Sequence, residues 1–460
     1  MVFSSLTFLF FFLPLTLLLY YAANNIRYRN YILLVMSLLF YAWGEPVYVI
    51  LMILSLVLNF NIGQELAKNK TKSMLVFGVL INVFVIGYFK YYGFFLEIIG
   101  KISGLNLHAH KLPLPIGISF YTFQALSYLI DIYRGKCEPQ KKASYFALYI
   151  TMFPQLIAGP IVRYQDIEKQ LGNRSFEKKQ FEEGIRIFII GLFKKLVFAN
   201  TLGAVHDEIM SLGTENLSAL SAWTCAICYA LQIFNDFSGY SDMAIGLGKM
   251  FGFEFNKNFD RPYSSLSVTE FWRRWHISLS AWFKEYVYIP LGGNRKGWAR
   301  QIVNLLIVWT LTGLWHGAAL NFVAWGLYYG ILLILEKFVF GRFLEKLPVV
   351  FRWLFTALMV LIGWVFFFSP SLKSSLSYLS AMAAKNGAAD HIGKFYAGNS
   401  LILIVLAMLP ACVNIDTGDE KTGNARIVTA FRWLTYAMLF ALSLCFLVGE
   451  SYNPFLYFRF

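Results

Sequence analysis

Charge is scarce in this sequence. Only 14% of its 460 residues are Asp, Glu, Lys or Arg, about half the roughly 25% usual in soluble domains, while 58% belong to the apolar set. A soluble chain of this length could not hide so much apolar surface, so a large part of its solvent is lipid. The five cysteines, at 137, 225, 228, 412 and 445, are scattered, which excludes a disulfide framework. Cys225 and Cys228 have C-x-x-C spacing, but in the apolar run WTCAICYALQIF they read as a packed helix face. There is no H-E-x-x-H, P-loop or G-x-G-x-x-G, and no G-x-S-x-G elbow to support a serine-nucleophile hydrolase. His108 and His110 form an H-x-H pair in a polar loop. Three ligands at useful spacing are missing, so no metal is expected. The net charge of +14 fits basic residues gathered in cytoplasmic loops and at lipid headgroups rather than a nucleic-acid partner.

What the sequence has in abundance is long apolar runs. Phe3 to Tyr21 precedes the first charge, Arg27, and is long enough to cross a ~30 Å hydrocarbon core. It reads as a retained span starting outside rather than a signal peptide. Further runs occupy about 31–60, 74–99, 113–133, 145–158, 184–203, 218–234, 237–252, 301–335, 350–369, 400–413 and 428–449. They do not alternate as barrel strands do, and lipid leaves helices as the other solution. The fold class is therefore all-α, a polytopic membrane bundle. Two runs are of awkward length. Gly44-Glu45-Pro46 breaks 31–60 into halves of 13 and 14 residues. Run 145–158 lies between two basic segments and reads as re-entrant. Short, broken helices are tolerated at membrane depth only around protein or a water-filled cavity.

Two regions concentrate chemistry. Residues 249–300 hold nine Lys/Arg and four Asp/Glu among many aromatics. On one helix, Trp272, Trp275, Leu279, Trp282, Phe283 and Tyr286 form a stripe, with Arg273, Ser280 and Lys284 beside it and His276 at its edge. That suits an interfacial helix, and a purely structural anchor is the alternative. Between Arg300 and Glu336 run 35 residues with no charge except possibly at His316. As one helix they would extend ~52 Å, too long for one crossing and too short for two. A break at 313–319 resolves the conflict and places His316 deep in the protein, where an ionisable side chain is a functional candidate. A hydrogen-bonded core histidine is the alternative. An imidazole there can take a proton from a hydroxyl and return it. Asn235, Asp236, Ser238, Ser241 and Asp242 enter another apolar run, either as interhelical glue or as the lining of a hydrophilic path.

NDFSGYSDMAIGLGKMFGF, FWRRWHISLSAWFKEYVYIPLGGNRKG and LTGLWHGAALNFVAWG closely resemble the membrane-bound O-acyltransferase (MBOAT) family, in its bacterial polymer-acylating branch. MVFSSLTFLFFFLPL, LPIGISFYTFQALSYLIDIYRG and FPQLIAGPIVRY extend the resemblance over residues 1–335, and the opening, IAGPIVRY and GGNRKG are most like the alginate-type O-acetyltransferases. The C-terminal part, with its tail NPFLYFRF, matches in character. The resemblance implies a single domain over 1–460, with a motif-bearing core at about 112–335. It implies about eleven spans plus re-entrant and interfacial helices around a central funnel. Cytoplasmic donor and outer acceptor would meet there, with Asn235, Asp236, Ser238, Ser241 and Asp242 as candidate lining. It places the catalytic histidine on His316 and the second family histidine on His276. It also implies acetyl-CoA as donor substrate with no permanently bound cofactor, although D-alanylating members use a carrier-protein thioester. An SGNH-type extracytoplasmic acetyltransferase and a polysaccharide synthesis and secretion complex are the implied partners, in a bacterial cytoplasmic membrane. Alginate, cellulose, peptidoglycan and teichoic acid all stay open as acceptors. Arg273, Arg274, Lys284 and Arg295 form a cationic rim for CoA phosphates, or for headgroups. On composition alone a transporter or flippase, or a recruiting scaffold, competes with the enzyme.

Overall fold

Among the described residues every regular element of the chain is a helix, and there is no strand. The computed structural model describes residues 1–105, 113–413 and 425–449. The His108/His110 pair and the tail NPFLYFRF lie outside the described residues. Seven helices among these residues combine the length and hydropathy needed to cross a bilayer. Three more, Ile26–Gly44, Ala219–Met250 and Trp298–His316, are long enough at 19, 32 and 19 residues but carry more polar side chains. Protein rather than lipid accommodates such groups.

Contacts divide the chain into two compact units, each discontinuous in sequence: 1–188 with 241–256, and 189–240 with 257–460. In the first unit, helix α1 (Phe8–Ala22) is followed by α2 (Ile26–Gly44) and α3 (Tyr48–Asn69). The break at Gly44–Pro46 is where the sequence puts it, but neither side is a half-helix. Both helices run on beyond the apolar stretch into polar residues, and α3 reaches 22 residues. Phe12 meets Phe153 at 5.4 Å and Phe8 meets Phe40 at 5.9 Å, edge to face. Helix α4 (Lys72–Ser103) is tied to α3 by a reciprocal amide pair, Asn82 donating to Asn59 at 2.7 Å and Asn59 to Asn82 at 3.3 Å. Such polar bonds act as glue where burial gives helices no hydrophobic drive to associate. Helix α5 (Ile118–Tyr133) buries 14 of its 16 residues. Run 145–158 becomes α6 (Ala143–Thr151) and a four-residue turn, Phe153–Leu156. At nine residues α6 extends only ~13 Å, too short to cross.

Helices α7 (Lys178–Met210) and α8 (Ala219–Met250) contribute residues to both units. The two apolar runs expected at 218–234 and 237–252 are one continuous helix of 32 residues, α8. The polar residues between them do not break it because they find partners. Asn235 Nδ2 donates to the carbonyls of Leu231 (2.9 Å) and Ala407 (3.2 Å). Asp236 pairs with Lys195 at 2.7 Å, with both side chains buried, and Lys194 Nζ donates to Ser238 Oγ at 3.3 Å.

The interfacial helix expected over 272–286 is two helices, α9 (Val268–Arg274) and α10 (Ile277–Phe283), joined by a bend at Trp275–His276. The charge-free run is likewise split, into α11 (Trp298–His316) and α12 (Leu320–Leu335), with the break at 317–319. These two pack backbone to backbone: a Cβ on Gly313 would sit 2.2 Å from the Phe322 carbonyl oxygen, and one on Gly326 2.2 Å from that of Trp309. Small residues permit this approach in membrane bundles. Helices α13 (Val349–Phe368), α14 (His391–Cys412) and α15 (Ala425–Gly449) follow in the second unit, with a shorter helix, Leu372–Met382, between α13 and α14.

Candidate active site

The site in the second unit is built from α9, α10, α11 and α12. Ser267-Val-Thr-Glu270 is a capping sequence: Ser267 Oγ accepts from the Glu270 N–H at 3.1 Å. The Glu336 carboxylate adds bonds from the Val268 and Thr269 N–H groups, at 2.8 and 3.1 Å. Trp272 on α9 packs edge to face with Trp309 at 4.7 Å and with Tyr329 at 4.8 Å, which fixes α9 on α11 and α12. Edge-to-face aromatic pairs of this kind add to simple burial.

At His276 the backbone enters the left-handed region, φ +44 and ψ +56, a conformation that costs a non-glycine residue free energy. The bend is held from outside. Ile277 N–H donates to the Asn258 carbonyl and Asp260 N–H to the Arg274 carbonyl, each at 2.9 Å. His276 lies between two seven-residue helices, outside the spanning segments, and is 1% exposed. Burial, and after it the charge of nearby His316, hold its imidazole well below the ordinary range.

His276 lines a mostly apolar cavity of about 230 Å³, together with Trp272, Leu279, Phe283, Trp309 and Thr312. Arg273 and Lys284 also line it, and both are exposed. Among the described residues neither forms an ion pair. His316, 5% exposed, ends α11. Its ring packs edge to face on Trp315 and Trp325, both at 5.0 Å, and on Phe367 at 5.2 Å. Trp315 links the two histidines, lying 6.0 Å from the His276 ring.

The structure therefore brings together His276, Arg273 and Lys284 of the residues singled out in the sequence on one cavity wall, whereas His316 does not line that cavity and meets His276 across the Trp315 ring. Arg274 is engaged elsewhere: it pairs with Glu270 at 2.6 Å and donates to Ser264 Oγ at 2.8 Å. Arg295 stands on an exposed turn away from the cavity lining. Asn235, Asp236 and Ser238 make the interhelical bonds described above, whereas Ser241 is buried and Asp242 half-buried further along α8. Among the described residues no three His, Cys, Asp or Glu side chains are grouped so as to hold a metal ion. Sequence reasoning missed Asn258, whose side chain contacts His276. Its only signal was an Asn in the loop NKNFDRPY, which reads as turn chemistry.

The cavity thus has mostly apolar walls, a buried imidazole, and two cations that form no ion pair among the described residues. The pattern of "MBOAT, membrane-bound O-acyltransferase family" matches residues 140–379. The chain is 40% identical to the "Probable alginate O-acetylase AlgI" of Pseudomonas putida, over the full length of both. It is 32% identical to the "Peptidoglycan O-acetyltransferase" of Helicobacter pylori, over 100% of this chain and 98% of that one. With the "Teichoic acid D-alanyltransferase" of Bacillus subtilis it shares 27% over 53% of this chain and 63% of that protein. A family pattern covering more than half of the chain, and relatives this similar from end to end, place it in the membrane-bound O-acyltransferase family, as a multi-pass O-acyltransferase.

Proposed function

We propose that this O-acyltransferase moves an acetyl group from acetyl-CoA on the cytoplasmic side of a bacterial cytoplasmic membrane across that membrane, for O-acetylation of an extracytoplasmic polysaccharide of the alginate type. The observation that carries the donor assignment is the cavity, which offers His276 and apolar walls to an acyl thioester and Arg273 and Lys284 to phosphates. The end-to-end similarity to an alginate O-acetylase supports the acceptor. A peptidoglycan acceptor is the second reading, favoured by the Helicobacter pylori relative.

In this mechanism His316 takes the proton of the acceptor hydroxyl as its oxygen attacks the thioester carbonyl. The new C–O bond forms, the C–S bond breaks, and the thiolate leaves and is reprotonated. Base assistance of this kind contributes typically ~10²–10⁴-fold. His276 holds the donor beside it. An SGNH-type acetyltransferase completes the transfer to the polymer outside, alongside the polysaccharide synthesis and secretion machinery, and membrane lipid surrounds the apolar helices.

The test is thiol release from acetyl-CoA by purified wild type and His316→Ala, with oligomannuronate or peptidoglycan fragments as acceptor. Acceptor-stimulated release in wild type, falling by at least ~10²-fold in a variant of unchanged elution profile, is expected. Equal turnover in the two proteins would remove His316 as the base. Release stimulated only by peptidoglycan fragments would reassign the acceptor.

A further inference from the structure

The Asn258 side chain, 1% exposed, faces His276 across the bend. Its Oδ1 lies 3.2 Å from the Ser278 backbone nitrogen, 2.9 Å from Ser278 Oγ and 3.2 Å from His276 Nδ1. A backbone N–H can only donate, so the Asn258 atom that meets it is the amide oxygen, and the orientation of this amide is not a free choice. That oxygen can only accept, so the ring nitrogen beside it carries the proton. In a neutral imidazole the lone pair then belongs to Nε2. Asn258 is itself fixed, because its carbonyl takes the Ile277 N–H at 2.9 Å and Asp260 N–H reaches the Arg274 carbonyl at the same distance. One residue thus grips the strained bend by main chain and the imidazole by side chain.

We propose that Asn258 is a positioning residue for acyl transfer: it locks His276 in the Nδ1–H tautomer, so that His276 meets the reacting groups as a hydrogen-bond acceptor through Nε2 and not as a donor to the thioester carbonyl. This rests on the reading that His276 takes part in the transfer. The burial that lowers the His276 pKa agrees with it, since an imidazolium would have no lone pair. The titratable groups around His276 are His316, whose charge reaches it, and Arg273, Lys284 and Tyr288, which line the same cavity.

The experiment compares full-length wild type, Asn258→Ala, Asn258→Asp and His276→Ala in one detergent. It reads thiol release from acetyl-CoA against pH, and the ¹⁵N spectrum of histidine-labelled protein. The His276 signals are identified by their loss in His276→Ala. Wild type is expected to be protonated at Nδ1 and bare at Nε2. Asn258→Ala is expected to mix the tautomers and lower kcat about 10- to 100-fold, the scale for losing the partner that orients a functional imidazole, with KM little changed. Asn258→Asp keeps the size and the acceptor while adding a charge that favours the imidazolium, so the acid limb of its pH profile moves to higher pH. A wild-type ring protonated at Nε2 overturns the proposal. So does an Asn258→Ala protein with unchanged tautomer and kcat, or one that only melts lower while Asn258→Asp keeps the wild-type profile. Full turnover by His276→Ala defeats the underlying reading instead, whatever the spectra show.

Discussion

The ion pair between Lys195 and Asp236 makes a quantitative prediction about stability. The two side chains are 3% and 2% exposed and their charged atoms are 2.7 Å apart. At an effective dielectric constant near 20, unit charges at that separation attract by about 6 kcal/mol. Desolvation costs several kcal/mol for each ion, so the net value of the pair is small. Removing one partner is a different matter, because the other is left buried and uncompensated at a cost of about 3–5 kcal/mol. Lys195→Met and Asp236→Leu should each lower the apparent melting midpoint substantially, whereas the double variant should return to within a few degrees of wild type. Heating aliquots in detergent and following the monodisperse peak by fluorescence-detected size exclusion measures all four proteins. The reasoning fails if either single variant melts like wild type, or if the double variant loses the sum of the two single losses. Lys194, bonded to Ser238 at 3.3 Å, stays in place in every variant and serves as the internal control.

Asp390 caps α14, accepting from the Gly393 N–H at 2.7 Å and from the Ser218 and Ser221 hydroxyls at 2.8 and 2.9 Å. Its partial burial pushes its pKa up, but these bonds outweigh burial and hold the carboxyl below its ordinary value. A depressed carboxyl stabilises the fold above its unfolded pKa of about 3.9 and loses that contribution as pH falls through the folded value. Asp390→Ala should therefore cost about 1 kcal/mol at pH 7, and the gap between the two melting midpoints should close below about pH 4. Arg273→Ala and Lys284→Ala should each raise KM for acetyl-CoA about two- to fivefold, the modest scale of exposed charges. Neither should alter KM for acetyl-pantetheine, which lacks the nucleotide phosphates, and a parallel rise for both donors would show that these cations do not read phosphate.

Much of this was legible because lipid makes length an argument. Thirty-five uncharged residues fit neither one crossing nor two, and the break indeed falls between His316 and Leu320. Periodicity was a less complete guide over 272–286. The stripe of Trp272, Trp282 and Phe283 is real in that all three are buried, yet the chain bends at His276. Tertiary hydrogen bonds from residues 258–260 enforce that bend, and no local pattern encodes them. The same limit applies on α8. Asn235, Asp236 and Ser238 stand out as polar residues in an apolar run, but a buried aspartate's meaning depends on Lys195, 41 positions earlier on another helix. The family resemblance named both histidines, while the contact that orients one of them, across 18 residues of sequence, had to be seen in three dimensions.

The first compact unit borrows residues 241–256 from beyond the start of the second. Tyr20 waits for the Phe251 carbonyl at 2.7 Å, Arg174 for the Phe253 ring at 3.9 Å, and the backbone of Gly184 for that of Gly246. During synthesis, then, the N-terminal helices cannot finish their core when residue 188 has been made. They must stay open in the bilayer while more than fifty residues of the other unit pass, and a nascent chain arrested near residue 240 would expose these unfilled polar and aromatic positions to any quality-control protease in reach.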